Sequence, residues 1–416
     1  MLQGILIARL LGAEGFGVLG TITLFTSTIN NLVSFRMSEI VVKYVGYYTE
    51  TNDEHRAAAI FKAAVLVEMI ASLIAFILVI FLAPIGARFF TKDPENTPLF
   101  LIYGLVVLFN LVAESSTGLL QISDRFRWIA SLNLVQSTTT LAIIMIVYFL
   151  GGSIPGVLMA YLLGKAVCAL GLTIAAMLEA NQRWGRKWWQ SPLNLLKHQR
   201  HELTHFAIST NISSTISLAT KDSEILWVSL LSNPLQAGYY KLALALSNIV
   251  QMPIDPLPQA TYPELSRQVA QKNWGDMRKI LRQGSRLAGG YTLFVMILLI
   301  LFGRALIEFL YTPEFLPAYP ALIILLVGLL VANTFYWRRI SLLALGRADF
   351  PAKVNLVLAI IKVAGALLFV PKYGYLASAA LLAGFFIFNS IITVLKTYSL
   401  INTASKQIPT GLEPTK

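Results

Sequence analysis

Apolar runs recur from one end of the chain to the other, with short polar segments between them. Each run is close to the ~20 residues that a helix needs to cross a bilayer. Barrel strands would alternate apolar and polar positions with period two, and these runs do not, so the pattern predicts helices. A partial run covers residues 1–11. Full spans are predicted at 18–44, 57–82, 100–119, 129–150 and 154–178, and again, after a polar stretch, at 205–231, 237–262, 287–302, 318–337, 354–370 and 375–400. The expected fold is an all-α membrane protein of about 12 transmembrane helices, the first of them truncated.

The chain also repeats itself. At an ungapped offset of 222 residues, Leu120 meets Leu342, Arg125 meets Arg347, Asn133-Leu134-Val135 meets Asn355-Leu356-Val357, and Ala142 meets Ala364. Near the start, Leu10-Leu11-Gly12-Ala13-Glu14-Gly15-Phe16-Gly17 resembles Leu230-Leu231 followed, after a short insertion, by Gln236-Ala237-Gly238-Tyr239-Tyr240. The offset spans six helices, an even number, so both halves are expected to enter the membrane in the same direction. That predicts two parallel-repeat six-helix lobes around a central cavity, the arrangement of transporters that rock one half against the other. The expected division is an N-terminal lobe over 1–180, a basic cytoplasmic linker over 181–203, a C-terminal lobe over 204–402 and a polar cytoplasmic tail over 403–416. The predicted helix 205–231 needs a partner ending at Leu11 and beginning about fifteen residues before Met1. The first helix is therefore expected to be cut short, by a misassigned start codon or an incomplete gene.

Composition sharpens this picture. Of the 416 residues, 56% are hydrophobic and 13% charged, about half the charged share of a soluble domain, and the mean hydropathy is +0.67. The net charge of +12 raises the question of a nucleic-acid partner, and its distribution answers against one. With the loop after the second helix placed in the cytoplasm, only Arg9, Arg88, Lys92, Lys221, Arg304 and Lys372 fall on the outer side. This is the positive-inside bias, with membrane lipids as a natural partner of the basic surface. Cys168 is the one cysteine, which rules out a disulfide framework and a cysteine metal site. No Walker motif, glycine-rich nucleotide loop or catalytic triad is visible, so no cofactor is expected, and energy must come from an ion gradient, the membrane potential or consumption of the product.

Ile7-Ala8-Arg9-Leu10-Leu11-Gly12-Ala13-Glu14-Gly15-Phe16-Gly17-Val18-Leu19-Gly20 resembles the opening signature of the polysaccharide-transport flippases, the Wzx-type O-antigen and oligosaccharide translocases. Asp222 with Ile225-Leu226-Trp227-Val228, then Ala237-Gly238-Tyr239-Tyr240 and Ala243, is similar to that family's seventh and eighth helices, and Pro263-Glu264-Leu265-Ser266 to the end of its eighth. The family belongs to the multidrug/oligosaccharidyl-lipid/polysaccharide exporter superfamily. The resemblance implies a non-enzymatic flippase in a bacterial or archaeal cytoplasmic membrane. It implies a polyprenyl-diphosphate-linked oligosaccharide as cargo, with glycosyltransferases and a polysaccharide polymerase as further partners. A cation-coupled multidrug exporter of the same superfamily is the alternative.

Charged groups inside apolar spans are costly unless they face a cavity or a partner. Arg36, Lys165, Lys241 and Lys362 form the basic set, with Arg338 and Arg339 at the end of a span; Glu39, Glu68, Glu114, Asp222 and Asp255 form the acidic set. Arg36, Lys241 and Lys362 are the candidates for an anionic head group. Asn248, Gln251 and Asn333 are candidates for sugar hydroxyls, as is Asn211, although bridging helices is an equal reading for such amides. Glu39, Asp222 and Asp255 are the candidates for ion coupling, and Arg36 and Glu39 are spaced to pair. Pro253, Pro256 and Pro258 are expected to interrupt the eighth helix around Asp255. His201-Glu202-Leu203-Thr204-His205 fits the zinc-protease pattern H-E-x-x-H. It lies at the mouth of a span, about 30 Å of helix from Asp222 or Glu224, and an intramembrane protease is the least favoured reading.

Overall fold

The computed structural model describes residues 2–217, 223–347 and 349–406, and every regular element among them is helical. The chain forms two compact units, Met1–Leu235 and Gln236–Lys416. The first contains α1 (Leu2–Val33), α2 (Met37–Ile40), a π-helical stretch over Val41–Val45, α3 (Gly46–Glu50), α4 (Glu54–Phe90), α5 (Thr97–Gly104), α6 (Val106–Phe109), α7 (Ala113–Ile122), α8 (Phe126–Phe149), α9 (Ile154–Trp184), α10 (Arg200–Ser217) and α11 (Glu224–Leu231). After α12 (Pro234–Gln251) come α13 (Leu257–Ala270), α14 (Trp274–Leu310), α15 (Ala318–Thr334), α16 (Arg338–Ala344), α17 (Asp349–Tyr373) and α18 (Tyr375–Lys406).

Among the described residues, nine helical stretches are long and apolar enough to cross a membrane. The difference from the twelve predicted runs lies at three places. Runs 1–11 and 18–44 share α1, which is bent at Gly12 (φ 67°), a backbone conformation that glycine adopts without steric cost. Run 205–231 holds α10 and α11 together with residues 218–222, which lie outside the described residues. Run 237–262 is divided between α12 and α13, with the proline-rich turn between Gln251 and Leu257. Large side chains such as Phe81 and Phe149 are 73% and 78% exposed. In water such faces would be a liability; against lipid they are the expected surface, and the chain is a multi-pass membrane protein.

The repeat, faint in the sequence, is written clearly in the turns. The 37-residue helices α4 and α14 begin alike. Asp53 accepts the N–H of Arg56 at 3.1 Å and Asn273 accepts that of Asp276 at 3.2 Å, each an N-cap. Before them, Asn52 and Lys272 both take positive φ, 57° and 56°. Between the preceding helix ends and these caps, the N–H of Asp53 bonds to Tyr48 O and that of Asn273 to Gln268 O, both at 2.9 Å, the closing bond of a left-handed helix terminus. The same terminus recurs where Arg125 N–H meets Leu120 O and Arg347 N–H meets Leu342 O, both at 2.8 Å. The latter pair fixes α7–α8 and α16–α17 in register at 222 residues.

Part of the segment after α9 folds back onto the first unit. Trp188 and Leu196 join its buried core, Phe61 packs on the Trp184 and Trp188 rings, and Lys62 Nζ donates to Ser191 O at 3.2 Å. α10 is tied to the π-helical stretch by the Tyr44 hydroxyl, which donates to Glu202 at 2.9 Å, and to the turn after α1 by Asn211, which donates to Ser34 O.

Small residues set how closely helices approach. A Cβ on Gly328 of α15 would lie 2.6 Å from the Ala383 backbone of α18, whereas one on Gly290 of α14 would meet nothing within 4 Å. Gly328→Val is therefore expected to cost about 1–3 kcal/mol by overpacking. Gly290→Ala should be neutral or stabilising by up to about 1 kcal/mol through helix propensity. Thermal unfolding of the purified variants in detergent checks both, and equal behaviour of the two would refute the close approach.

Candidate functional site

The helix breaks at membrane depth organise the first unit's interior. α7 starts after a break at 110–112, and its N-cap residue Val112 supplies no side-chain cap. The orphan donors of its first turn are met from another helix. Glu68 of α4, 5% exposed, accepts the N–H of Glu114 on one oxygen at 2.8 Å. On the other it accepts the N–H of Ser115 at 2.8 Å and the Ser115 hydroxyl at 2.5 Å. A carboxylate at a helix N-terminus is favoured both by these bonds and by the helix dipole. Glu114 lies one step on, near the N–H groups of Met37 and Ser38 at the start of α2 and the Arg36 guanidinium, but its Oε2 is buried without a hydrogen-bond partner. Arg36 forms the corner that precedes α2, with φ 48°, and pairs with Glu39 at 3.1 Å.

Beside this chain of caps lies a cavity of about 340 Å³. Asn30 and Ser34 reach it from the end of α1, Ser38 from α2, Glu68 and Ser72 from α4, and Asn110, Glu114, Thr117 and Gln121 from α7 and the break before it. Asn133 and Gln136 of α8 and Lys165 and Cys168 of α9 complete the polar wall. Thr117 and Gln121, Asn133 and Gln136, and Lys165 and Cys168 stand three or four residues apart, the spacing that puts side chains on one helix face. That spacing of polar residues inside apolar runs was a readable signal for this wall, and apart from the charged Glu68, Glu114 and Lys165 the sequence candidates do not include it.

The candidates chosen from the sequence are distributed as follows. Arg36 and Glu39 stand together at the α2 corner, both about half exposed on their side chains. Lys241, Asn248 and Gln251 lie along α12, where Gln251 donates to Asp255 at 2.9 Å. Asn333 is buried and donates to Thr292 at 3.2 Å, bridging α15 to α14. Lys362 is buried in α17. Asp222 lies outside the described residues. In the H-E-x-x-H segment, Glu202 is the partner of Tyr44, and the His201 and His205 rings stack 6.4 Å apart.

Arg338 does for carbonyls what Glu68 does for N–H groups. Where α15 stops, its guanidinium donates to Ala332 O at 2.7 Å, to Phe335 O at 3.4 Å and to Asn389 Oδ1 at 3.3 Å. Asn389 in turn donates to Asn355, closing a network across α15, α17 and α18.

Comparison with known proteins places this arrangement. The model of the polysaccharide biosynthesis protein family matches residues 1–269. The inner membrane protein YghQ of Escherichia coli (strain K12) is 22% identical over 318 residues, covering 73% of this chain and 85% of that protein. Among solved structures, an inward-facing multidrug resistance MATE family transporter of the MOP superfamily superposes with a TM-score of 0.77 at 15% identity, over 98% of this chain and 94% of that one. Lipid II flippase MurJ in an inward closed conformation superposes with a TM-score of 0.71 at 15% identity, over 97% and 87%. The fold is that of the MOP-superfamily transporters.

The capping role of Glu68 has a measurable consequence. Glu68→Gln places an amide donor among N–H donors and removes a charge-assisted acceptor, and is expected to destabilise by about 1.5–3 kcal/mol. Ser115→Ala, which loses one bond, should cost about 1 kcal/mol. The double variant should cost less than the sum, since both changes act on one network. Additive losses in a thermal double-mutant cycle would show that the two groups do not interact.

Proposed function

The chain belongs to the polysaccharide biosynthesis protein family, and from that premise we propose that it is a flippase for lipid-linked oligosaccharides. The observation that carries the proposal is the family match over residues 1–269. The physical problem is to move a glycan head group across hydrocarbon, where each unpaired hydroxyl costs several kcal/mol, while the polyprenyl tail stays in lipid. A protein path with polar walls lowers that barrier, and alternating exposure of the path to the two sides prevents leakage. Polar walls of this kind exist within the first unit.

In this reading Arg36, Lys241 and Lys362 hold the diphosphate or acidic sugars, Asn248, Gln251 and Asn333 serve the sugar hydroxyls, and Glu39, Asp222 and Asp255 carry the coupling ion. Guanidinium and ammonium groups suit phosphate by charge and by donor geometry, and the three basic residues come from both halves of the chain. The multidrug exporter alternative shares the fold, but basic groups in the spans favour an anionic cargo over cationic drugs. Glycosyltransferases and a polysaccharide polymerase are the partners that supply and consume such a cargo.

The test is flipping of a fluorescent polyprenyl-diphosphate oligosaccharide in proteoliposomes holding the full chain. Arg36→Gln, Lys241→Gln and Lys362→Gln should each slow it about tenfold, the equivalent of ~1.4 kcal/mol, with insertion unchanged, and paired changes should slow it further. Normal flipping by all three would sink the proposed head-group site. Absence of flipping by the unaltered chain, with drug-cation efflux in its place, would overturn the cargo.

A further inference from the structure

The polar wall of the first unit's cavity contains groups that the fold does not consume. Among the described residues, the carboxamides of Asn30, Asn110, Gln121 and Gln136 all line the cavity, all are partly buried, and none makes a side-chain hydrogen bond within the protein. Their polar atoms are open to the cavity, where water or a ligand can meet them. On the same wall, Glu68 is engaged in capping α7.

The repeat supplies an internal control on whether the fold needs these amides. The matched helix ends at Arg125 and Arg347 hold the two halves in register at 222 residues. Gln121 therefore corresponds to Leu343, and Gln136 to Leu358. The second unit builds the same helices with leucine at both places. Asn133 keeps its counterpart, Asn355, and there the asparagine is used up in the Arg338–Asn389 network. The amides of the first unit thus answer to something other than helix packing.

We propose that this cavity is a carbohydrate subsite that takes one sugar ring of the cargo; this rests on the glycan reading given above. Each carboxamide offers a donor and an acceptor, which suits a ligand whose hydroxyls do both. At about 340 Å³ the space falls at the lower end of small-molecule sites, ~300–1,000 Å³, and far exceeds what a single structural water needs, ~10–15 Å³. Its formal charges balance, Glu68 and Glu114 against Lys165 and the neighbouring Arg36. Glu68 is engaged at the start of α7, Arg36 stands beside Glu114, whose Oε2 has no hydrogen-bond partner, and Lys165 adds a positive charge to the wall. A neutral polyol is the ligand that the four carboxamides match.

Cys168 lines the cavity and is the chain's one cysteine, so its modification reports on this space alone. The purified full chain in detergent would be treated with methyl methanethiosulfonate in the presence of glucose, galactose, mannose, rhamnose or N-acetylglucosamine, each tested singly. At least one sugar should slow labelling twofold or more in the unaltered chain and leave it unchanged in the Gln121→Leu/Gln136→Leu variant. That variant carries the residues of the second unit, so it should unfold at the same temperature as the unaltered chain or higher while flipping the lipid-linked glycan at least fivefold more slowly. No protection by any sugar overturns the subsite, as does protection by sodium chloride but not choline chloride. Normal flipping by the double variant overturns it too. Failure of the unaltered chain to flip glycan, with sugar protection of Cys168 intact, counts against the cargo and not against the subsite.

Discussion

Each break in a helix at membrane depth frees N–H and C=O groups that no water is there to meet, so the protein must supply their partners itself. This constraint shapes both units. In the first, the break before α7 is closed by Glu68 from α4, and the corner before α2 faces Glu114 from α7. In the second, the end of α15 is closed by Arg338. One unit meets its breaks with anions aimed at N–H groups and the other with a cation aimed at carbonyls, the signs that the helix dipole requires at each end. Several charges that look functional when counted along the spans are in this way committed to holding the backbone.

That commitment separates polar groups with a structural task from those without one. Glu68, Arg338 and Asn389 have partners across helix boundaries, and removing Glu68 leaves the first N–H groups of α7 unsatisfied. The amides of Asn30, Asn110, Gln121 and Gln136, which line the first unit's cavity, carry no such task. A transport protein needs both kinds, a frame satisfied within itself and a path whose polar groups stay available to a passing head group. Polar groups left open inside the frame are tolerable only where water or cargo can reach them.

The two halves show how far such a division can drift. Their turns agree closely, down to the positive φ of Asn52 and Lys272 and the paired helix ends at Arg125 and Arg347. Backbone turns tolerate few alternatives, so a duplicated fold keeps them. Interior polar positions answer to local pairing and to ligands, and they have diverged, Gln121 against Leu343 and Gln136 against Leu358. The Asn133 and Asn355 pair lies between these limits, one identical residue in two different networks.

The sequence by itself determined the helical class, most of the spans, the proline break after α12 and the 222-residue repeat, because hydrophobic run length and turn residues act locally. It also identified which spans carry charge, and it placed Arg36 and Glu39 for pairing, since both lie within one turn of chain. Which charges are consumed by the fold was decided only in three dimensions. The groups that Glu68 caps lie 46 and 47 residues along the chain, and Arg338 meets Asn389 at a separation of 51. A glutamate that caps a neighbouring helix and one that faces a cavity are the same letter in the same apolar run; only the packing of helices distant in sequence gives one of them a partner and leaves Asn30, Asn110, Gln121 and Gln136 open to the cavity.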